Sequence, residues 1–222
     1  MVGTLTYRSV GVKSWRMATA FKTSASTRDR MIEEARALFA ERGFYGVSIA
    51  QIAAELGLTK QALLHHFGTK ERLYGLVLEQ IAVELAGLKA SSEPGADAAW
   101  QLQDWLVAMI SDTPPRIERS RLLMREILDN QVRAERAGSW YLKPFLGELV
   151  TMLRGVPGWS GASDAQLRAT VVQLLGAVNY HAVSGPTFRG IFGTEAAQAM
   201  NDIFASQLRH MVHAVLAAGP EA

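Results

Sequence analysis

The sequence predicts an all-α protein of about nine helices, and three observations carry that prediction. Apolar residues recur at intervals of three and four along most of the chain. Capping residues, glycines and prolines bracket those stretches, and no run alternates apolar and polar residues as a strand does. No internal repeat is evident. At 222 residues, 49% of them hydrophobic and 20% charged, the chain has the composition of a packed globular protein rather than a disordered one.

Residues 1–26 contain Arg8, Lys13, Arg16 and Lys22 and no acid, without the continuous apolar core of a secretory signal. They read as a basic, mobile arm, and Met17 offers an alternative start. Ser26 and Asp29 form a capping box for a first helix over about Thr27–Arg42, with Ile32, Ala35, Leu38 and Phe39 as its stripe. Gly43 ends it, and Phe44 turns back to the core. Ser48 and Gln51 make an S-x-x-Q box for a second helix, with Ile52, Ala53 and Leu56 on one face. Gly57 allows a sharp turn and Leu58 fills the angle. Thr59 caps a third helix whose Leu63 and Phe67 point inward at i and i+4. Gly68 and Thr69 reset the chain, and Lys70 opens a long fourth helix to about Lys89.

Ala90 to Asp97 reads as a loop. Ala98–Ser111 is helical with Leu102, Trp105, Leu106 and Met109 in register, and Pro114–Pro115 breaks it. A longer helix over Arg116–Ala137 carries Ile117, Leu123, Met124, Ile127 and Leu128. Gly138 ends it, and Trp140–Arg154 follows with Tyr141, Phe145, Leu149 and Met152. Ser163 and Gln166 box the start of a helix that Gly185–Pro186 terminates at about Ser184, followed by a loop to Gly193. Thr194 caps the last helix, with Met200, Ile203, Phe204, Leu208, Met211, Val212 and Val215 as its stripe.

Charge is uneven along this architecture. The net is only +2, but residues 1–72 hold eleven Lys/Arg against six Asp/Glu, and the remainder twelve against fifteen. A basic front on an acidic back suggests a polyanion partner at one end, although a surface with no such role gives the same tally. The lack of cysteine removes disulfides and thiolate metal sites. No apolar run approaches the roughly 18–20 residues of a membrane span, so a cytoplasmic protein is expected.

The helix–turn–helix over Ser48–Phe67 is the stretch with chemistry. Two short helices at a glycine turn let one of them enter a DNA major groove. Lys60 and Gln61, near the start of the third helix, suit base edges: lysine the acceptors of guanine, glutamine the bidentate edge of adenine. Ser48 and Thr59, with free amides at their helix starts, suit phosphate oxygens. A helical hairpin that never meets DNA is the plainer reading, and the agreement of landmarks, basic charge and polar face weighs against it. Neighbouring His65 and His66 point about 100° apart on a helix and cannot chelate one metal. No metal site or cofactor is implied.

Residues 27–75, with RGFYGVS, then IAQIAAELGLTKQALLHHF, then TKERL, resemble the N-terminal DNA-binding domain of TetR-type transcriptional regulators. The resemblance implies that His65 and Lys70 also face the DNA backbone, with the N-terminal arm beside them. Family members often carry tyrosine where this chain has Leu64, so that contact becomes apolar or is lost. His66 occupies a common family position but is expected to pack against the domain core, and ranks below His65.

The resemblance further implies that residues 76–222 form a larger helical domain that binds a small molecule and dimerises. Trp105, Met109, Met124, Ile127, Trp140, Tyr141 and Phe145 are bulky residues suited to a ligand pocket, with Arg121, Arg125, Glu126, Asp129 and Asn130 as polar groups. The same residues at helical spacing suit a plain core equally, as do Tyr180 and His181. The last two helices, with Gly176, Ala177 and Ala205, are the expected dimer interface, and a two-fold dimer matches a palindromic operator. The expected function is therefore a homodimeric, effector-released repressor that is not an enzyme. A constitutive DNA-binding protein without effector is the alternative. A helical-bundle enzyme is a weaker one, because Gly158-Trp159-Ser160-Gly161-Ala162 lacks the final glycine and the strand of a nucleophile elbow.

Overall fold

The computed structural model describes residues 27–89, 96–110, 113–129 and 142–220, with side chains undescribed at Pro114 and Asp129. Nine helices and no strand occur among them: α1 Thr27–Arg42, α2 Ile49–Glu55, α3 Lys60–Phe67, α4 Lys70–Lys89, α5 Ala98–Ala108, α6 Pro114–Asp129, α7 Lys143–Arg154, α8 Asp164–Phe192 and α9 Thr194–Ala218. The N-terminal arm, Ser26, most of the loop after Lys89, Asn130, the predicted helix end at Ala137 and Gly138, Trp140 and Tyr141 lie outside the described residues. No helix among them is long and apolar enough to cross a membrane.

The first three helices pack on the start of α4 through an aromatic cluster. Tyr74 meets Phe39 edge-on at 4.9 Å and Phe44 at 5.1 Å between centroids. In the larger bundle, buried Trp105 on α5 donates its indole N–H to the Leu85 carbonyl of α4 at 2.7 Å and meets Phe145 of α7 edge-on. Trp159, between α7 and α8, donates to the Leu216 carbonyl of α9 at 3.0 Å. Each indole thus satisfies its one donor while its ring fills the core.

Four boundaries differ from expectation. α8 does not stop at Gly185–Pro186 but runs on to Phe192. Proline removes one helical hydrogen bond and crowds the turn before it, at about 3 kcal/mol. That cost is local, and contacts around the proline offset it: within the helix Phe188 meets Tyr180 across the proline and stacks on Phe192 at 5.6 Å, and His181 lies flat on Phe204 of α9. Thr194 is the first residue of α9, not its cap; Gly193, at φ +85°, holds the cap position without a side-chain bond. α5 closes at Ala108, where the Met109 and Ile110 amides tighten onto carbonyls three residues back. Pro114 opens α6 rather than lying outside it, because a first-turn proline loses no helical bond.

A candidate nucleic-acid interface on the third helix

Local sequence fixes the reading head. The Ser48 hydroxyl accepts the Gln51 amide at 3.2 Å, and the Gln51 side chain returns to the Ser48 amide at 2.7 Å. This reciprocal cap starts α2, which buries Ile49, Ile52 and Ala53. Gly57 takes φ +67°, a region that glycine enters without steric cost, and the Leu58 amide closes the turn on the Ala53 carbonyl at 2.8 Å. Thr59 then caps α3 by accepting the Ala62 amide at 3.1 Å.

α3 is anchored on one side and open on the other. Leu63 and Phe67, one turn apart, are fully buried. Lys60, Gln61, His65 and His66 are exposed, and Ser48 and Thr59 are exposed beside them. His66 therefore does not pack into the domain core; its ring lies 6.1 Å from that of Phe67 and faces solvent, since Leu63 and Phe67 already fill the inner face. Leu64 is half-buried against the core at the edge of the open face. Lys70, just past the Gly68 turn, holds its ammonium 4.3 Å over the Phe44 ring, and Arg28 lies 5.6 Å over Phe67.

The chemistry of this face suits DNA. α3 carries a lysine, two histidines and no acid. The capping hydroxyls of Ser48 and Thr59 spend acceptor capacity on their helices and keep an O–H to donate outward to a phosphate oxygen. Lys60 and Gln61 sit one turn before Leu64 and His65, so the polar groups form adjoining rows on the outer face.

Sequence reasoning missed the polar joint behind the head. Arg36 of α1, only 3% exposed at its side chain, forms an ion pair with Glu84 of α4 and donates to the Pro115 carbonyl of α6 at 3.1 Å. Arg119 of α6, equally buried, lies 4.0 Å from Glu84 and donates to the Met109 carbonyl. Burial pulls the Arg119 guanidinium down to about 10, against the pull of Glu84, so it stays charged at neutral pH. Tyr74 donates to buried Glu126 at 2.6 Å, and Arg125 donates to the Glu41 carbonyl at 2.8 Å. The one available signal was Arg36 itself, a charge four residues from Ile32 within the apolar stripe of α1. Tyr45, with its ring exposed beside Phe44, was also passed over.

The suggested pocket residues divide between core and surface, with the Trp105 and Phe145 rings in contact. Trp105, Met109 and Phe145 are buried, Met124 is half-buried, and Ile127 is 62% exposed. None of them lines either of two cavities found among the described residues: an open groove of about 480 Å³ between α1 and α4, and a smaller space of about 80 Å³ among α6, α8 and α9.

Comparison with known proteins agrees with this geometry. Residues 31–77 match the family model of bacterial regulatory proteins, tetR family. The transcriptional repressor AcnR of Corynebacterium efficiens is 33% identical over 61 residues, covering 28% of this chain and 32% of AcnR. The transcriptional regulator RutR of Escherichia coli is 36% identical over 91 residues, covering 40% of this chain and 42% of RutR. The chain thus spans about a third to two fifths of these relatives. Residues 31–77 are thus similar to the DNA-binding segment of tetR-family regulators. Over most of the chain the fold is shared with solved regulators. KstR2 of Mycobacterium tuberculosis, a ketosteroid transcriptional regulator, has a TM-score of 0.59 at 20% identity, covering 90% of this chain and 98% of that one. A TetR-family regulator from Rhodococcus has a TM-score of 0.63 at 18% identity, covering 85% and 97%.

Proposed function

We propose that this protein is a sequence-specific DNA-binding transcriptional regulator, a homodimeric repressor released from a palindromic operator by a small-molecule effector, and not an enzyme. The observation that carries the reading is α3: capped by Thr59, anchored by Leu63 and Phe67, and open along Lys60, Gln61 and His65, inside a segment that matches the tetR model. In this reading Lys60 and Gln61 contact bases, Leu64 touches an apolar base edge, and Ser48, Thr59, His65 and Lys70 contact phosphates.

Support for dimerisation comes from α8 and α9. Among the described residues, Val172, Tyr180, Ile191, Phe192, Ile203 and Met211 are large, apolar and exposed on these two helices. Gly176 faces open space in which even a Cβ would meet nothing. Such a concentration on one pair of helices is what an interface leaves uncovered in a single chain. A second copy brings two reading helices to symmetric half-sites.

Release follows if an effector favours a conformation in which the two heads are wrongly spaced. α4 joins the head to the bundle, and the Arg36–Glu84–Arg119 joint ties its movement to α1 and α6. Sedimentation equilibrium of the purified protein tests the dimer. Twice the 24.2 kDa chain mass is expected at micromolar concentration, and a monomer would contradict the proposal.

A further inference from the structure

We infer that the space among α6, α8 and α9 is the headgroup site for a small organic carboxylate bearing a hydroxyl or amino group next to the carboxylate. This rests on the regulator reading above and assigns its effector a chemical class.

Three helical rows converge there. Ile117 and Arg121 contribute from α6, one turn apart; Gly185 and Arg189 come from α8, likewise one turn apart, and Asn201 comes from α9. At about 80 Å³ the space is well under the roughly 300–1,000 Å³ of a site that encloses a drug-sized ligand, so it holds a headgroup. Two guanidiniums set its charge. Neither Arg121 nor Arg189 forms an ion pair among the described residues, and both are exposed at the mouth. Each presents a planar fork of donors that matches a carboxylate.

The wall also offers an acceptor. Pro186 has no N–H to return to the carbonyl of Ala182, four residues earlier, and both residues line the space. That oxygen lacks its usual helical donor and, in this assignment, accepts one from the ligand. The neighbouring wall is braced: the His181 ring lies flat on Phe204 at 3.6 Å, with Nε2 3.2 Å from the Asn201 side-chain oxygen. Cationic forks beside an underused carbonyl select an anion that carries its own donor. A bare acetate satisfies only the arginines, and an uncharged amide satisfies only the carbonyl.

Calorimetry on the full chain without DNA, using lactate, alanine, acetate and lactamide as probes, tests the assignment. Lactate or alanine is expected to bind saturably and more tightly than acetate, with lactamide weaker still. Arg121→Gln and Arg189→Gln should each weaken that binding at least about tenfold, the loss of a charge-assisted hydrogen bond. Pro186→Ala, which returns an N–H to Ala182, should remove the preference for lactate or alanine over acetate, and a preference that survives it overturns the assignment of the acceptor. Circular dichroism confirms that each variant is folded. No binding of lactate or alanine at millimolar concentration overturns the assignment, and so does wild-type affinity in both arginine variants. Operator binding measured separately by fluorescence anisotropy distinguishes the two levels: a protein that binds lactate or alanine here but retains no DNA keeps the site and loses the regulator reading.

Discussion

Lys60 and Lys70 carry the same charge in different settings, and the setting separates their roles. Lys60 is exposed at the start of α3, whereas the Lys70 ammonium lies over the Phe44 ring. Lys70→Ala should weaken binding to every DNA sequence alike and reduce the slope of log K against log salt by about one. It should also lower stability by roughly 0.5–1 kcal/mol, the worth of an exposed cation–π contact. Lys60→Ala should leave stability unchanged and relax base preference at one operator position, at about 1–3 kcal/mol. Selection of binding sites from random DNA with each variant, alongside a salt titration, reads both outcomes.

At the scale of elements, the joint between head and bundle is the feature most exposed to test. Glu84 stands between two arginines that are each 3% exposed at the side chain, while its own side chain is 41% exposed. Glu84→Gln leaves Arg119 without its carboxylate and Arg36 with only Glu33, at 3.9 Å. A fully buried pair broken this way costs about 3–5 kcal/mol, and solvent access at Glu84 reduces the expectation to about 2. For a chain of this size that is a fall in melting temperature of roughly 4–8 °C. Glu118, one turn before Leu122 on α6, gives a pH signature. Burial raises its pKa above the ordinary 4.5, outweighing the attraction of Arg36. The folded protein therefore holds this proton more tightly than the unfolded chain, and stability from this group declines as pH rises from the unfolded value through the raised folded one. Glu118→Gln should be more stable than the parent at pH 7, with the difference gone below about pH 4, as read by calorimetric melting at both values.

The same elements show how far sequence reaches. The helix starts at Ser48, Thr59 and Ser163 were legible because a capping side chain bonds only a few residues away. The reading head was legible for the same reason: its turn, its two anchors and its open face fall within 23 residues, Ser48–Lys70. Pro186 was misread because the ring contacts around it, Tyr180–Phe188 along α8 and His181–Phe204 across to α9, are not part of a local propensity. The Arg36–Glu84–Arg119 joint was invisible because its members lie 48 and 35 residues apart in sequence and meet only when α1, α4 and α6 pack. The pocket was not legible because bulky residues at helical spacing look alike whether they fill a core, as Trp105 does, or stand in solvent, as Ile127 does.

For the whole molecule, the proposed function divides the labour: in it α1–α3 read DNA, α4 and α6 transmit, and α8 and α9 pair two copies while flanking the proposed carboxylate site. All of it depends on α3 entering a major groove. The most direct measurement is fluorescence anisotropy of the purified full chain on labelled DNA from around its own gene, titrated at low salt and again with Lys60→Ala. Saturable binding of two protomers per symmetric site, weakened as salt rises and altered in base preference by the variant, is the expected result. Failure to retain any such DNA at low salt would contradict the account.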